Sequence, residues 1–165
     1  MTLEEAAAQA DVLAQHGDER GLATLRQQWD EELEHAARSA DYRVRAHAYR
    51  AIAQFRFRQK LELVRRGLQD ESPAARGSAL IALECLSRDH PGDVNSMRAM
   101  LHELATNDPN MAVRRLAIVC LKNGSAQRET ILILDGLADD DEQEAELRKT
   151  ARAVATALTK KSRQK

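Results

Sequence analysis

One arginine position recurs in four copies of the same helical pattern along this chain. The four arginines are Arg45, Arg76, Arg114 and Arg148. An alanine follows three residues later in every copy, at Ala48, Ala79, Ala117 and Ala151. Mostly small or apolar residues also stand six, seven and ten residues after each arginine, and these offsets trace one face of an α-helix. The spacings of 31, 38 and 34 residues are typical of a solenoid built from helical pairs.

The composition agrees with stacked helices. Charged residues make up 31% of the chain and aromatic residues only 3%, so leucine, alanine, isoleucine and valine must supply the core. This profile fits a β-sandwich poorly. A length of 165 residues predicts one domain, residues 1–159, followed by a basic C-terminal tail, residues 160–165. A formal net charge of −1 gives no support to nucleic-acid binding through overall charge.

The sequence predicts a cytoplasmic protein without a membrane segment. No apolar stretch approaches the roughly 18 to 20 residues that cross a bilayer, and the first residues, MTLEE, lack a signal-peptide pattern. Cys85 and Cys120 lie within helical patterns and lack the spacing of metal ligands. We therefore expect both cysteines to be reduced thiols.

Apolar periodicity and turn signals predict an N-terminal helix and four helical pairs. Ser72 followed by Pro73 is typical of a helix N-cap with proline in the first turn. The first helix covers residues 2–16, and the pairs are 19–38 with 42–55, 59–68 with 74–86, a helix opening near Asp93 with 110–122, and 126–137 with 142–158. The last six residues are expected to fray.

Two segments carry a family resemblance, residues 70–79 (DESPAARGSA) and 108–117 (DPNMAVRRLA). They resemble HEAT repeats, in particular the short bacterial HEAT-like type also seen in phycobilisome lyases. The resemblance covers roughly residues 19–158. It implies an all-α, armadillo-like fold: a short right-handed α-solenoid, or superhelix, of about four HEAT-like hairpins plus an N-terminal helix.

In such families an aspartate six residues before the arginine forms a polar ladder between successive repeats. The resemblance implies this role for Asp70, Arg76, Asp108 and Arg114, and the same arginine column contains Arg45 and Arg148. Independently, an arginine flanked by core positions needs carboxylates and carbonyls for its five donors. The outer copies depart from the pattern, because Ser39 and Glu142 occupy the aspartate column there.

A search for chemistry predicts no catalytic residue, no metal ligand and no cofactor. The chain has no glycine-rich phosphate loop, no Cys-x-x-Cys, no His-Glu-x-x-His and no Gly-x-Ser-x-Gly. Glu32 and His35 form one Glu-x-x-His, but a di-iron bundle needs two such motifs and further glutamates. His35 and His47 could approach across a hairpin, and two ligands without a third make a weak metal site.

Charge is distributed unevenly along the chain. Residues 1–40 hold nine acidic and three basic residues, whereas residues 41–69 hold two acidic and eight basic ones. The five aromatic residues lie in or near the basic stretch: Trp29, Tyr42, Tyr49, Phe55 and Phe57. Arginines among aromatic rings are typical of a surface for nucleic acid or an acidic peptide. The favoured alternative is that the acidic helices neutralise the basic segment, with Trp29 and Phe55 in the core.

The face of each second helix that points away from its packing stripe differs between copies. It is basic in the first copy and apolar in the next two, at Arg43, His47, Arg50, Ile81, Leu116 and Val119. Because second helices line the concave side of HEAT-like stacks, the resemblance implies a groove with a basic end and an apolar middle. An apolar patch bordered by charge is typical of a protein-binding surface. First helices or a second subunit could instead cover these residues, and a homodimer would satisfy both readings.

These patterns favour a non-enzymatic interaction scaffold, or adaptor, that binds an acidic or amphipathic protein segment in its groove. The partner's identity is not encoded in any motif. One alternative is nucleic-acid binding of the kind seen in HEAT-like DNA alkylation-repair glycosylases, which the near-zero net charge and single tryptophan disfavour. Another is a chromophore-lyase or chaperone subunit, which only the repeat subtype suggests.

Overall fold

The computed structural model describes residues 1–164, and within them all regular structure is helical. Contacts divide the chain into two compact units, Met1–Leu86 and a second that begins at Ser87. The prediction of an all-α chain built from helical pairs is confirmed. Handedness of a superhelix and the single-domain boundary at residue 159 stay predictions.

The first unit consists of five helices and one 3-10 turn. They are α1 (Leu3–Gln15), α2 (Glu19–Ala37), α3 (Tyr42–Gln54), the 3-10 turn Arg58–Lys60, α4 (Leu61–Gly67) and α5 (Pro73–Ser87). Helix α1 packs against both α2 and α3, and α2 packs against α3. Large side chains with less than 2% exposure fill the centre, among them Leu22, Leu33, Ile52, Phe55 and Leu83.

A capping box begins α1, and a glycine in the left-handed conformation ends it. Thr2 and Glu5 form a capping box, in which each side chain accepts a hydrogen bond from the other residue's backbone N–H. Gly17 has φ = 72°, a conformation that glycine adopts without steric cost. The N–H groups of Gly17 and Asp18 donate to the carbonyls of Ala14 and Leu13, which closes the helix in a Schellman motif.

The second unit also contains five helices within its described residues. They are α6 (Pro91–Asn95), α7 (Arg98–Asn107), α8 (Met111–Leu121), α9 (Arg128–Asp139) and α10 (Ala145–Ser162). Helix α7 packs against α8, and α10 packs against both α8 and α9. The fully buried large residues of this unit include Leu101, Ile118, Leu121, Leu134 and Leu147.

Three predicted helix boundaries in this unit are wrong. The helix expected to open near Asp93 is two helices, because the Ser96 hydroxyl donates to the Asp93 carbonyl and α7 begins only after Met97. The last helix begins at Ala145 rather than at residue 142, because Asp140 accepts from the backbone N–H of Glu142 and holds a turn there. Its end reaches Ser162, into the segment expected to fray.

A lysine explains part of this extension. The Lys161 ammonium donates to the carbonyls of Lys122 and Gly124, at 2.9 Å each, just beyond the end of α8. A cation at the carbonyl end of a helix complements its dipole. The basic character of the tail therefore ties α10 to α8. Lys165 lies outside the described residues.

Candidate functional site

Three basic side chains form an exposed stripe on α3. Arg43, His47 and Arg50 are spaced by four and three residues, which places them on one side of the helix, and all three are exposed. The opposite side of α3 carries Ile52, which is completely buried. Phe55, directly after the helix, is buried as well. Because Ile52 and Phe55 pack in the core, the side chains of Arg43, His47 and Arg50 lie at the surface.

The charge of Arg43 is partly satisfied within the chain, whereas that of Arg50 is not. Asp41 caps α3 by accepting from the Arg43 backbone N–H at 2.9 Å, and its carboxylate lies 3.6 Å from Arg43 Nε. The Arg43 guanidinium also lies over the Tyr42 ring, 5.7 Å from its centroid. Within residues 1–164, Arg50 has no hydrogen bond or ion pair. Its guanidinium remains available for a ligand.

Helix α1 supplies the other side of a cleft beside this stripe. The cleft has a volume of about 200 Å³ and lies between Leu3, Glu4 and Ala7 of α1 and His47 and Arg50 of α3. Glu4 Oε1 is 3.4 Å from His47 Nδ1. We call this cleft the α1–α3 groove. It combines one unpartnered guanidinium with a histidine–carboxylate pair and apolar walls.

Sequence reasoning assigned the groove to the second helices alone and missed the contribution of α1. The opposite charges of the two N-terminal segments were the available signal. Glu4 meets His47, and Asp11 lies 2.9 Å from Arg56. Because contacts advance along both helices together, α1 and α3 run in the same direction.

The apolar members of the predicted groove are half-buried. Ile81 lies on α5 in the first unit. Leu116 and Val119 lie on α8 in the second unit. The structure thus brings Arg43, His47 and Arg50 into one stripe. A continuous groove through all six residues stays a prediction.

Arg45 and Asp70 form a bidentate ion pair in the first unit. Arg45 donates through Nε and one terminal nitrogen to the two Asp70 carboxylate oxygens, each at 2.8 Å. The side chains are 13% and 6% exposed, respectively. The hydrogen bond from Arg45 holds the pKa of Asp70 below its usual value despite its burial. Arg76 donates to the Asp70 carbonyl at 2.9 Å, so both arginines contact the residue at the aspartate position.

In the second unit the repeated arginines bind helix ends. Arg114 Nε donates to the Ala105 carbonyl at 2.9 Å, and Arg148 Nε donates to the Ala138 carbonyl at 3.3 Å. These carbonyls belong to the last turns of α7 and α9, where a cation complements the helix dipole. Asp108 accepts from the Asn110 backbone N–H and shapes the turn before α8.

The partner of Arg114 differs from the one that column alignment suggests. Glu142 occupies the aspartate column, but Arg114 donates to the side-chain carbonyl of Gln143 at 3.1 Å. The second terminal nitrogen of Arg114 is buried without a hydrogen-bond partner among the described residues. Arg114 thus pairs with the neutral carboxamide of Gln143, whereas Arg45 pairs with the carboxylate of Asp70.

Acidic side chains of α1 and α2 neutralise much of the basic segment. Besides the Asp11–Arg56 pair, Lys60 Nζ lies 2.5 Å from Asp30 and 2.8 Å from Glu34. Burial opposes the charged form of Lys60, but its hydrogen bonds with these carboxylates outweigh burial and raise its pKa. The neutralisation interpretation is confirmed for these pairs.

The aromatic residues offer little stacking surface. Tyr49, Phe55 and Phe57 are buried, and Trp29 is half-buried. Only Tyr42 is exposed, at 46%, and it already lies beneath Arg43. The arrangement therefore offers one exposed ring, whereas successive unpaired bases stack on several aromatic side chains.

A buried polar network in the second unit escaped sequence reasoning. Arg98 is 7% exposed and donates to the Thr130 hydroxyl at 2.9 Å, the Ser125 carbonyl at 3.2 Å and the Asn95 side chain. His102 Nε2 lies 2.8 Å from the same hydroxyl. Burial lowers the pKa of both Arg98 and His102. Thr130 and Ser125 lie 32 and 27 residues from Arg98 along the chain, so no local sequence pattern marks these contacts.

Metal-ligand clusters, disulfides and membrane-spanning helices are all absent from the part of the chain that the structure describes. Residues 1–164 contain no group of three or more histidine, cysteine, aspartate or glutamate side chains placed to hold a metal ion. Cys85 and Cys120 are not in disulfides, and Cys120 is buried. None of the helices over the same range has the length and apolarity needed to cross a membrane.

Paired helices with a repeated arginine define this chain as an α-helical repeat protein. Residues 31–103 match the family model of HEAT repeats, which confirms the resemblance to HEAT repeats inferred from the sequence. The phycobilisome-lyase subtype stays a prediction. Comparison with curated proteins gave no match.

Proposed function

We propose that this chain is a non-enzymatic scaffold that binds an acidic segment of another protein in the α1–α3 groove. HEAT repeats generally mediate protein interactions, which supports the class of function. The observation that carries the proposal is Arg50, an exposed arginine without a partner in residues 1–164, beside His47 in a cleft. The other residues that line the cleft are Leu3, Glu4, Ala7, Ala51 and Gln54.

The energetics favour a segment rather than a single charged group. A carboxylate can pair with both edges of a guanidinium, but an exposed ion pair alone contributes only about 0 to 1 kcal/mol. Useful affinity therefore requires apolar contacts along the groove in addition to the charge pair. Because Glu4 already lies at His47, the partner's carboxylate is best placed at Arg50.

We expect the substitution Arg50→Glu to weaken binding of acidic peptides by about tenfold or more, which corresponds to roughly 1.4 kcal/mol. Short random peptides displayed on phage would be selected on the full chain, and fluorescence anisotropy of the enriched peptides would give the dissociation constants. The enriched peptides should be rich in aspartate and glutamate. Their affinity should fall as salt increases, because the charge pair is exposed to solvent.

Arg20→Glu is the matched control. Arg20 lies in the first turn of α2, is exposed and lies outside the α1–α3 groove. The control variant should retain wild-type affinity. Failure to enrich any peptide, or equal affinities for the wild type and Arg50→Glu, would contradict the proposal.

A further inference from the structure

A second depression lies next to the α1–α3 groove and shares part of its lining. It lies where the start of α1, the end of α2 and the start of α3 meet, and its volume is about 330 Å³. Leu3, Glu4 and His47 line both cavities, so the two share one wall. The new residues are Ala36 and Val44, which are apolar, and Glu32, which is acidic. We call this cavity the Val44 depression.

The Val44 depression differs in character from the groove beside Arg50. Ala36 is 8% exposed and forms an apolar wall, whereas Val44 is 38% exposed. A single exposed valine is ordinary on a protein surface. Here, however, the valine borders a cavity that shares three lining residues with the groove beside Arg50. The volume lies at the small end of the range for ligand pockets, about 300 to 1,000 Å³, and suits one apolar side chain.

The two cavities differ in the charge of their lining residues. Glu32 lines only the Val44 depression and repels a carboxylate placed there, whereas Arg50 lines only the α1–α3 groove and attracts one; Glu4 lines both cavities. Val44 and Arg50 are six residues apart on one helix, which separates them by about 9 Å along its axis and by about 120° around it. A ligand that reaches both must therefore span more than the axial rise.

We infer that the partner is an amphipathic protein segment with one apolar side chain in the Val44 depression and a carboxylate at Arg50. This inference rests on the proposed function and specifies the partner's chemistry.

The experiment pairs substitutions on both sides of the contact. Peptides selected by phage display on the full chain should combine a carboxylate with an apolar residue at a constant spacing. Replacing that apolar residue with serine should weaken binding to the wild type by about tenfold, and the same replacement should have little effect on binding to Val44→Ser. This loss of coupling is what a double-mutant cycle measures.

Val12→Ser provides the matched control. Val12 is 49% exposed on α1 and does not line either cavity, so this variant should behave as the wild type. Circular dichroism should show the same helix content in both variants, because each valine is exposed.

The outcomes separate this inference from the proposed function. Acidic peptides that depend on Arg50 but lack an apolar residue, or that are insensitive to Val44→Ser, would overturn the inference and leave the proposed function intact. Enrichment of basic peptides, or of none, would overturn both. A dimer in sedimentation velocity that Val44→Ser dissociates would identify a second copy of the chain as the occupant and overturn the inference.

Discussion

Replacing Asp70 with asparagine is expected to lower the free energy of unfolding by about 2 to 3 kcal/mol at neutral pH. The substitution keeps the shape of the side chain but removes the charge that both donors of Arg45 contact at 2.8 Å. Arg45, whose side chain is 13% exposed, then lacks its main counter-charge. Urea denaturation monitored by circular dichroism would measure the loss.

The difference between wild type and Asp70→Asn should depend on pH. The pKa of Asp70 is lowered in the folded state, so its contribution to stability is fully present above the unfolded value of about 3.9. That contribution is lost as the pH falls through the lower, folded pKa. The two denaturation midpoints should therefore be far apart above about pH 5 and converge below about pH 4.

Asp141→Asn serves as the control for this prediction. Asp141 is 94% exposed and lies 3.4 Å from Arg148, so its removal should change stability by less than about 0.5 kcal/mol. Equal effects of Asp70→Asn and Asp141→Asn, or an effect of Asp70→Asn that persists undiminished at acidic pH, would show that the Arg45–Asp70 charge pair does not stabilise the fold.

Helices were predictable from sequence where apolar periodicity and a capping residue agree. Asp41 stands before the periodic stretch of α3, and the predicted range, residues 42–55, differs from Tyr42–Gln54 by one residue. Around Ser96 the apolar positions continue in a helical pattern, but a local hydrogen bond from its hydroxyl interrupts the helix. Such competition between a side chain and the backbone is invisible to periodicity.

The candidate site was predictable only on one side. Spacing along α3 placed Arg43, His47 and Arg50 on one face, because positions within a helix follow its regular geometry. The opposing residues Leu3 and Glu4 come from α1, and their approach depends on packing between helices rather than on any pattern within one. The opposite charges of the two N-terminal segments indicated that α1 and α3 would pack together, but they did not indicate which residues would face each other.

Replacing Gly67 with alanine is expected to destabilise the first unit by about 2 kcal/mol, although alanine is the better helix former. Gly67 is the last residue of α4, and a Cβ there would stand 2.6 Å from the Ala79 Cβ and 3.0 Å from two carbons of the Tyr49 ring. Ala79 belongs to the repeated alanine column, and its Cβ cannot rotate away. The helices would have to move apart, and thermal denaturation should show a lower midpoint.

Gly136→Ala is the same chemical change, but its expected effect on stability is opposite. Gly136 lies within α9, and a Cβ there would meet nothing within 4 Å, so the gain in helix propensity should raise stability by up to about 1 kcal/mol. Opposite signs for the two variants would show that contact between helices, rather than backbone preference, requires glycine at position 67. Stabilisation by both would mean that α4 can shift at little cost, so that this contact does not restrict the packing of the first unit.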